Sequence, residues 1–292
     1  MSAFASIMVP MSQGSTTPPH DLKSAGLALL RWYADAGVDE AVGVDAAALY
    51  AEATPAQTPA VAEVIELSKS VSLKPRPKKS DEEAAEDRAE QLTHDANTLA
   101  AKCASLKDLR EAVAGFEARS HFPAARNLVF SDGNPDADLM LIGEAPGEQE
   151  DLQGKPFVGR SGQLLDRMLA AIGRDRTNTY ITNVLPWRPM GNRTPTQQEG
   201  LIFLPFLMRH IELANPKLCV ALGGSSAKLL MHTNQGIMSF RGTWGTLEAG
   251  ALTVPILPTL HPAYLLRNSL AKREAWHDLL NMKQRLAELA AE

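Results

Sequence analysis

The sequence predicts an α/β domain with a three-layer, doubly wound and mainly parallel sheet. From about residue 97 onward, short apolar segments alternate with segments of helical periodicity, which is the pattern of repeated β-α units. The apolar segments are continuously hydrophobic rather than alternating, as expected for strands that helices cover on both faces. Ligands of such folds bind beyond the carboxyl ends of the strands, so the loops at those ends are the first place to look for function.

The first 96 residues differ in composition from the rest of the chain. Residues 1–20 contain Pro, Ser and Thr without periodicity and predict a disordered tail. Residues 21–36 place apolar side chains at helical spacing and predict one amphipathic helix. Residues 37–96 are first Pro/Ala-rich and then charged, which is typical of a solvated linker. We therefore predict a flexible N-terminal extension followed by a single domain, residues 97–292.

Within that domain, apolar runs and turn residues predict the order of the elements. Gly173 is expected to end a helix, and Thr196 is expected to cap the start of another. Strands are predicted as a pair within 127–147 around a Gly-Asn-Pro turn, and at 179–187, 217–224 and 253–262. Helices are predicted at 108–118, 161–173, 194–214, 225–232 and 264–292.

Composition excludes several classes of protein. The 292 residues include only two cysteines and no CxxC pair, which excludes a disulfide scaffold and a four-cysteine metal site and suits a reducing cytosol. No apolar run approaches the roughly 18 residues of a membrane helix, and no basic residue precedes an apolar N-terminal core. We expect a cytoplasmic protein without a membrane span.

Charge is distributed unevenly. The formal net charge is −5, but the first 99 residues are acidic and the remainder is mildly basic. An acidic whole argues against strong non-specific affinity for nucleic acid. It does not exclude a polyanionic partner, because the local field decides contact.

The loop after the predicted strand that ends at Ile142 carries unusual chemistry. Glu144 follows the strand directly, where a carboxylate could activate water. Gly143 and Gly147 keep the loop tight and let a ligand approach backbone amides. Phe157 lies in a polar, glycine-flanked turn, where an aromatic ring could act as a stacking face.

Two later strand ends add complementary groups. Asn183 presents both a donor and an acceptor, which can pair with an imide edge and reject the reverse pattern. His261, held by Pro262, could donate a hydrogen bond to a developing oxyanion. Each residue also has a plain interpretation: Glu144 as a solvated carboxylate, Phe157 as core, Asn183 as a turn residue and His261 as a strand cap.

Residues beside these loops suit contact with phosphate or DNA. Glycine-led helix starts could bind phosphate through backbone amides, although plain tight turns look alike. Leu265 and Leu266 precede the cationic Arg267 in the sequence. Apolar side chains beside cations can act as wedges that hold open a nucleic-acid stack. The alternative is that the two leucines are buried in the core. The candidates for contact with phosphate or nucleic acid are Arg160, Ser161, Gly162, Arg188, Gly224, Ser225, Pro262, Leu265, Leu266 and Arg267.

Four segments carry a resemblance to a known family. They are "GEAPGEQEDLQGKPFVGRSGQLLDRML", "YITNVLPWRPMGNRTPT", "NPKLCVALGGSSA" and "PTLHPAYLLRN", and they lie in family order within residues 120–285. The chain strongly resembles the family 4 uracil-DNA glycosylases of the uracil-DNA glycosylase superfamily. The resemblance implies that superfamily's fold and a repair enzyme that flips uracil out of DNA, hydrolyses its N-glycosidic bond and leaves an abasic site.

The resemblance also implies a role for each matching position. Glu144 matches the acidic residue implicated in positioning or activating the attacking water, and His261 matches the histidine that stabilises the departing base. Phe157 matches the aromatic residue that stacks on uracil, and Asn183 matches the side chain that reads its edge. Residues 262–267 match the loop that enters the DNA. The remaining substrate-binding candidates of the first motif are Gly143, Ala145 and Gly147.

One departure from the family concerns its 4Fe–4S cluster. The family's four cysteines align with Phe116, Arg119, Trp187 and Phe203. Cys103 and Cys219 alone cannot supply four thiolates within one subunit. We therefore predict a member without the cluster and without another metal, in which Trp187 and Phe203 fill the vacated volume.

Two other functions remain open from sequence. One is a non-catalytic or weakly active relative that binds uracil-containing or abasic DNA without efficient turnover. The other is a small-nucleotide hydrolase, which the apparent wedge and the lack of a Walker-type GK[ST] disfavour. Expected partners are uracil-containing DNA and, through residues 21–36, a repair or replication protein. We expect a monomer, cytoplasmic and associated with the nucleoid when bound to DNA.

Overall fold

The computed structural model describes residues 79–291 and confirms the mixed α/β architecture. The predicted tail at 1–20 and amphipathic helix at 21–36 lie outside the described residues, as does most of the predicted linker. The helices are α1 (Lys79–Lys102), α2 (Leu106–Gly115), α3 (Glu148–Gln153), α4 (Arg160–Ala171), α5 (Gln197–Ala214), α6 (Gly224–Leu230), α7 (Ile237–Phe240), α8 (Pro262–Arg267) and α9 (Lys272–Ala291).

Within the described range, the strands form one six-stranded sheet in the order β1-β3-β2-β4-β6-β5. The strands are β1 (Asp132–Gly133), β2 (Leu139–Gly143), β3 (Tyr180–Asn183), β4 (Leu218–Leu222), β5 (Gly245–Ala249) and β6 (Leu252–Thr259). β2, β3, β4 and β6 run parallel, and β1 and β5 pair antiparallel at the two edges. The mainly parallel sheet predicted from the sequence is therefore confirmed.

The side chains of the continuously apolar strands make both faces of the sheet hydrophobic. Along β2, Met140 and Ile142 pack into one hydrophobic layer, while Leu139 and Leu141 pack into the layer on the other side. Successive side chains of a strand point to opposite faces, so a run with no polar residue needs helices above and below. This arrangement explains the three layers.

Several element boundaries differ from the sequence prediction. The strand predicted at 179–187 ends at Asn183, before Pro186, which has no amide proton to donate. The two strands predicted within 127–147 do not pair with each other, because β1 pairs with β3. The continuous helix predicted at 264–292 is divided into α8, a 3-10 turn at Ser269–Ala271 and α9.

The predicted linker was wrong over residues 79–96, which lie in helix α1. Leu92, Ala96 and Ala100 recur every four residues and are buried in the hydrophobic layer that includes α5. The charged residues between Lys79 and Asp95 that suggested a solvated tether lie on this same helix. The helix that packs on the domain therefore includes residues 79–96, which the predicted boundary at residue 97 left out.

We expect Leu92→Ala to destabilise the domain because Leu92 is only 1% exposed. Truncation of a buried leucine costs about 2–5 kcal/mol, measurable as a lower free energy of unfolding in denaturant melts. Leu99→Ala is the matched control, since Leu99 lies in the same helix but is 36% exposed. Equal losses in the two variants would contradict the docking of α1 on the domain.

Candidate active site

The parallel strands bring the predicted site residues to one edge of the sheet. Gly143 is the last residue of β2, and its Cα is in register with that of Asn183, the last residue of β3. Gly224 begins α6 after β4, and His261 follows β6 as the N-cap of α8. The loops that sequence analysis singled out therefore converge, as carboxyl-end loops of such sheets do.

Gly143 lies where the side chains of Asn183 and Phe157 approach the end of β2 closely. A Cβ atom added at Gly143 would lie 2.3 Å from Asn183 Oδ1 and 2.6 Å from Phe157 Cζ. Both distances are shorter than van der Waals contact, so no other residue type fits without moving the neighbours. The Phe157 ring faces the His261 ring with centroids 5.5 Å apart and planes 30° from parallel. Phe157, Asn183 and His261 thus surround one small region.

The backbone of Phe157 is in the left-handed region, with φ of 55°, which is rare for a bulky residue. Gly162 makes this turn sterically possible, because a Cβ there would lie 1.7 Å from the Phe157 carbonyl oxygen. Glu150 Oε1 accepts hydrogen bonds from Val158 N at 2.9 Å and Gly159 N at 2.8 Å. Sequence analysis gave Glu150 no role, because its hydrogen-bond partners lie eight and nine residues further along the chain.

Glu144 is a half-buried carboxylate at the end of β2. Burial raises its pKa, and a hydrogen bond from the Ser225 hydroxyl acts in the opposite direction. The backbone around Glu144 is fixed, because Leu185 N donates to its carbonyl oxygen at 3.0 Å. A raised pKa makes the carboxylate a stronger base than an exposed glutamate. Ser225, predicted as a DNA contact, is thus also the hydrogen-bond partner of Glu144.

His261 is held as a neutral ring with a defined tautomer. Its Nδ1 accepts a hydrogen bond from Ala263 N at 3.1 Å, so the proton of the neutral ring resides on Nε2. Burial and the charge of Arg267 lower the pKa of His261 to about 4, against the opposing effect of Glu150. At neutral pH the ring therefore has an Nε2–H that can donate to a ligand.

Gly223 lets this histidine approach the end of β4. Its φ of 96° is in the glycine-favoured region, and a Cβ at this position would lie 2.9 Å from His261 Cβ. Gly223 N also donates to Thr259 O at 2.8 Å. Sequence analysis interpreted the glycine-led start of α6 as either a phosphate-binding turn or a plain tight turn. Two consecutive glycines at the end of a strand were the signal that the backbone is closely approached there.

The other predicted contact residues differ in exposure. Arg160, Ser225 and Arg267 are exposed, whereas Gly162 and Pro262 are buried. Arg188 is half-buried and donates from Nε to Asn192 Oδ1 at 2.7 Å. Ser161, Gly224, Ala145, Gly147 and Leu266 are half-buried.

The exposed wedge predicted at Leu265 was wrong. Leu265 is 1% exposed and packs in the hydrophobic layer that contains α4 and α9. The one-turn helix α8 directs it inward, while Leu266 is only half-buried. The buried-packing alternative therefore holds for Leu265.

Comparison with known proteins shows the family to which the chain belongs. Residues 130–280, just over half of the chain, match the model of the "Uracil DNA glycosylase superfamily". The chain belongs to this superfamily. It is 41% identical to the type-4 uracil-DNA glycosylase of Thermotoga maritima over 49% of this chain and 73% of that protein. It is 35% identical to the type-4 uracil-DNA glycosylase of Sulfurisphaera tokodaii over 62% of this chain and 84% of that protein.

The four positions that sequence analysis aligned with the family's cluster cysteines do not fit an iron–sulfur cluster, because none has a thiol. Phe116 and Phe203 are buried edge to face, with ring centroids 5.8 Å apart. The guanidinium carbon of Arg119 lies 4.9 Å from the centroid of the buried Trp187 ring. Phe116, Trp187 and Phe203 belong to the same hydrophobic layer.

The two cysteines of this superfamily member cannot replace the missing ligands. Cys103 is buried and donates from Sγ to Leu99 O at 3.2 Å. Cys219 lies within β4, where burial raises the pKa of its thiol to about 12. Across residues 79–291, no group of three or more His, Cys, Asp or Glu side chains is arranged to hold a metal ion. The same range contains no helix that is long and apolar enough to span a membrane.

Proposed function

We propose that the protein is a monofunctional uracil-DNA glycosylase. The observation that carries the proposal is the convergence of Phe157, Asn183 and His261 around Gly143, beside a carboxylate whose pKa burial raises. A stacking face, an amide that reads a base edge, a neutral donor and a general base are what hydrolysis of an N-glycosidic bond to uracil requires. The names of the relatives support the same activity.

Recognition begins with extrusion of the uracil nucleotide from the DNA stack. In the proposed complex the base stacks on Phe157, and the Asn183 amide pairs with its imide edge. Cytosine presents the reverse donor and acceptor pattern at its N3 and N4 positions, so it would leave buried polar groups unpaired. Gly143, with Ala145 and Gly147 beyond it, lets the base approach the loop after β2 closely.

Bond cleavage separates a uracil anion from a sugar with oxocarbenium character. As the C1′–N1 bond breaks, its electron pair leaves with the base, and the Nε2–H of His261 stabilises the resulting oxyanion. A neutral imidazole is suited to this task at neutral pH. Glu144 orients a water and accepts its proton as the oxygen bonds to C1′. The products are an abasic site and uracil, which takes up a proton.

This mechanism routes no step through a cluster, and we propose that the protein folds and acts without one. The support is the set of side chains at Phe116, Arg119, Trp187 and Phe203, where edge-to-face rings and a cation–π contact occupy the space. Such contacts contribute about 0.5–1.5 kcal/mol each beyond buried area. Packing would then link the 3-10 turn Glu117–His121 to α5 and the loop after β3.

We further propose where the enzyme acts and in what state. We propose that it acts as a monomer on uracil-containing DNA. Its substrate would place it in the cytoplasm, bound to the nucleoid. Recruitment of a repair or replication protein through residues 21–36 also remains a proposal.

We expect Glu144→Gln to lower kcat on a uracil-containing oligonucleotide by about 100-fold or more, because general bases contribute about 10²–10⁴-fold. Alkaline cleavage of the abasic product measures the rate. Glu148→Gln, which changes the exposed glutamate at the start of α3, is the matched control and should retain wild-type activity. Equal activity of both variants would contradict the proposed base.

The pH dependence should follow the same carboxylate. Because the pKa of Glu144 is raised, wild-type kcat should rise with pH through a value above that of an ordinary glutamate and then level off. His261 loses its extra proton already at about 4, so it adds no fall at neutral pH. Glu144→Gln should abolish the rise. Tight binding of uracil-containing DNA without cleavage at any pH would support the non-catalytic alternative.

The proposal of a cluster-free enzyme predicts that active protein, purified without oxygen, contains no stoichiometric iron and no visible absorbance band of a cluster. Glycosylase activity should survive prolonged treatment with an iron chelator. The matched comparison is a type-4 relative with four cysteines, taken through the same purification. Iron that copurifies with this chain in proportion to activity would overturn the proposal.

DNA entry needs an apolar group that can fill the space left by the extruded base, and we propose Leu270 for this role. Leu270 is 87% exposed in the 3-10 turn Ser269–Ala271. The turn follows α8 after the single residue Asn268, and His261 is the N-cap of α8. Arg267, the exposed last residue of α8, supplies a cation for the phosphate backbone.

We expect Leu270→Ala to lower kcat/KM on duplex substrate on the order of tenfold, because base unstacking costs a few kcal/mol per step. Single-stranded substrate should be affected much less, since it has no stack to hold open. Leu280→Ala is the control, since Leu280 is an exposed leucine, 42% exposed, on α9. An unchanged duplex-to-single-strand ratio in Leu270→Ala would contradict the proposed wedge.

A further inference from the structure

The loop between α4 and β3 contains an arginine that reaches the turn of the proposed stacking residue. We propose that Arg176 is a positioning residue that holds the Phe157 ring in the base pocket by binding the backbone beneath it. The inference rests on the proposed function and assigns a role to a residue that no motif of the sequence analysis included.

Arg176 binds two consecutive carbonyl groups of the turn. Its Nη2 donates to Phe157 O, and its Nη1 donates to Pro156 O at 3.2 Å. Phe157 is the residue with the left-handed φ of 55°. A bulky side chain adopts this conformation only where its surroundings impose it, and the guanidinium supplies such a constraint from the carbonyl side.

The guanidinium is itself fixed by two carboxylates. Nη1 donates to Asp132 Oδ2 at 2.7 Å, and Nε donates to Asp166 Oδ1 at 2.9 Å. Asp132 lies on the edge strand β1 and Asp166 on α4. Arg176 therefore connects the turn to two regular elements through all three of its nitrogens. A lysine has a single charged nitrogen and cannot reproduce this planar set of contacts.

A change in this backbone would be transmitted directly to the ring. Phe157 Cζ already lies within 2.6 Å of where a Cβ of Gly143 would be, and its ring faces His261 at 5.5 Å. Gly162 removes the steric obstacle to the turn, because a Cβ at this position would clash with the Phe157 carbonyl. Without Arg176, Phe157 would relax toward negative φ, and the ring would leave its place beside Gly143 and His261.

Arg176 and Arg174 form a matched pair for the test. Arg174 binds both carboxylate oxygens of Asp138, at 2.5 Å and 2.9 Å, and Asn178 O at 3.2 Å. Its side chain is 21% exposed, against 24% for Arg176. Both arginines lie in the same loop, and each binds a carboxylate and a backbone carbonyl. Only Arg176 contacts the Phe157 turn.

The decisive measurement is a double-mutant cycle of Arg176→Ala and Phe157→Ala with kcat/KM on uracil-containing DNA as the readout. We expect Arg176→Ala to reduce kcat/KM at least about tenfold in the wild type and about twofold or less once the ring is absent. Arg176→Lys should not restore the wild-type value. Arg174→Ala should change stability but leave kcat/KM unchanged. Equal effects of Arg176→Ala in both backgrounds would overturn the proposal.

A second readout does not depend on activity. The ring current of Phe157 should shift the NMR signals of the His261 imidazole, and Arg176→Ala should remove that shift while Arg174→Ala preserves it. Persistence of the shift in folded Arg176→Ala would overturn the positioning role even if the wild type excised no uracil. If Arg176→Ala does not fold, Asp132→Asn loosens the same guanidinium and enters the same cycle and spectrum. Additive kinetics or an unchanged spectrum for that variant would again overturn the proposal.

Discussion

The close approach of backbone at Gly143 is the constraint on which the rest of the site depends. Because β2 and β3 are parallel and in register, the residues after each strand meet at the same edge of the sheet. The absence of a side chain at Gly143 leaves room for the Asn183 amide and the Phe157 ring at once. A parallel sheet, a glycine at its edge and a strained turn thus act together to bring these groups to one place.

Burial at this edge shifts the pKa values of two titratable groups in opposite directions. It raises the pKa of Glu144 and lowers that of His261, because desolvation disfavours the charged form of each. The result is a carboxylate of increased basicity and a histidine that stays neutral. The Ala263 amide then determines which imidazole nitrogen carries the proton. An environment that excludes water also strengthens each hydrogen bond to a departing anion, so fold and chemistry share one physical cause.

The sequence was sufficient for the features that are local in the chain. The parallel sheet followed from continuous apolar runs, and Glu144, Asn183 and His261 could be singled out because each follows such a run. Residues 79–96 were misread because their few apolar residues, Leu92 among them, are separated by charges. The inward direction of Leu265 depends on the single turn of α8, which periodicity does not reveal. The contact of Arg176 with the Phe157 turn joins residues far apart in sequence, and only the folded chain brings them together.

The most direct test of the account is the structure of the Glu144→Gln variant bound to uracil-containing DNA. The account predicts an extruded uracil whose ring stacks on Phe157. The Asn183 amide should lie within hydrogen-bond distance of its imide edge, and His261 Nε2 within hydrogen-bond distance of a uracil oxygen. Binding of the uracil away from the edge formed by Gly143, or a uracil that remains stacked in a fully bound duplex, would contradict the account.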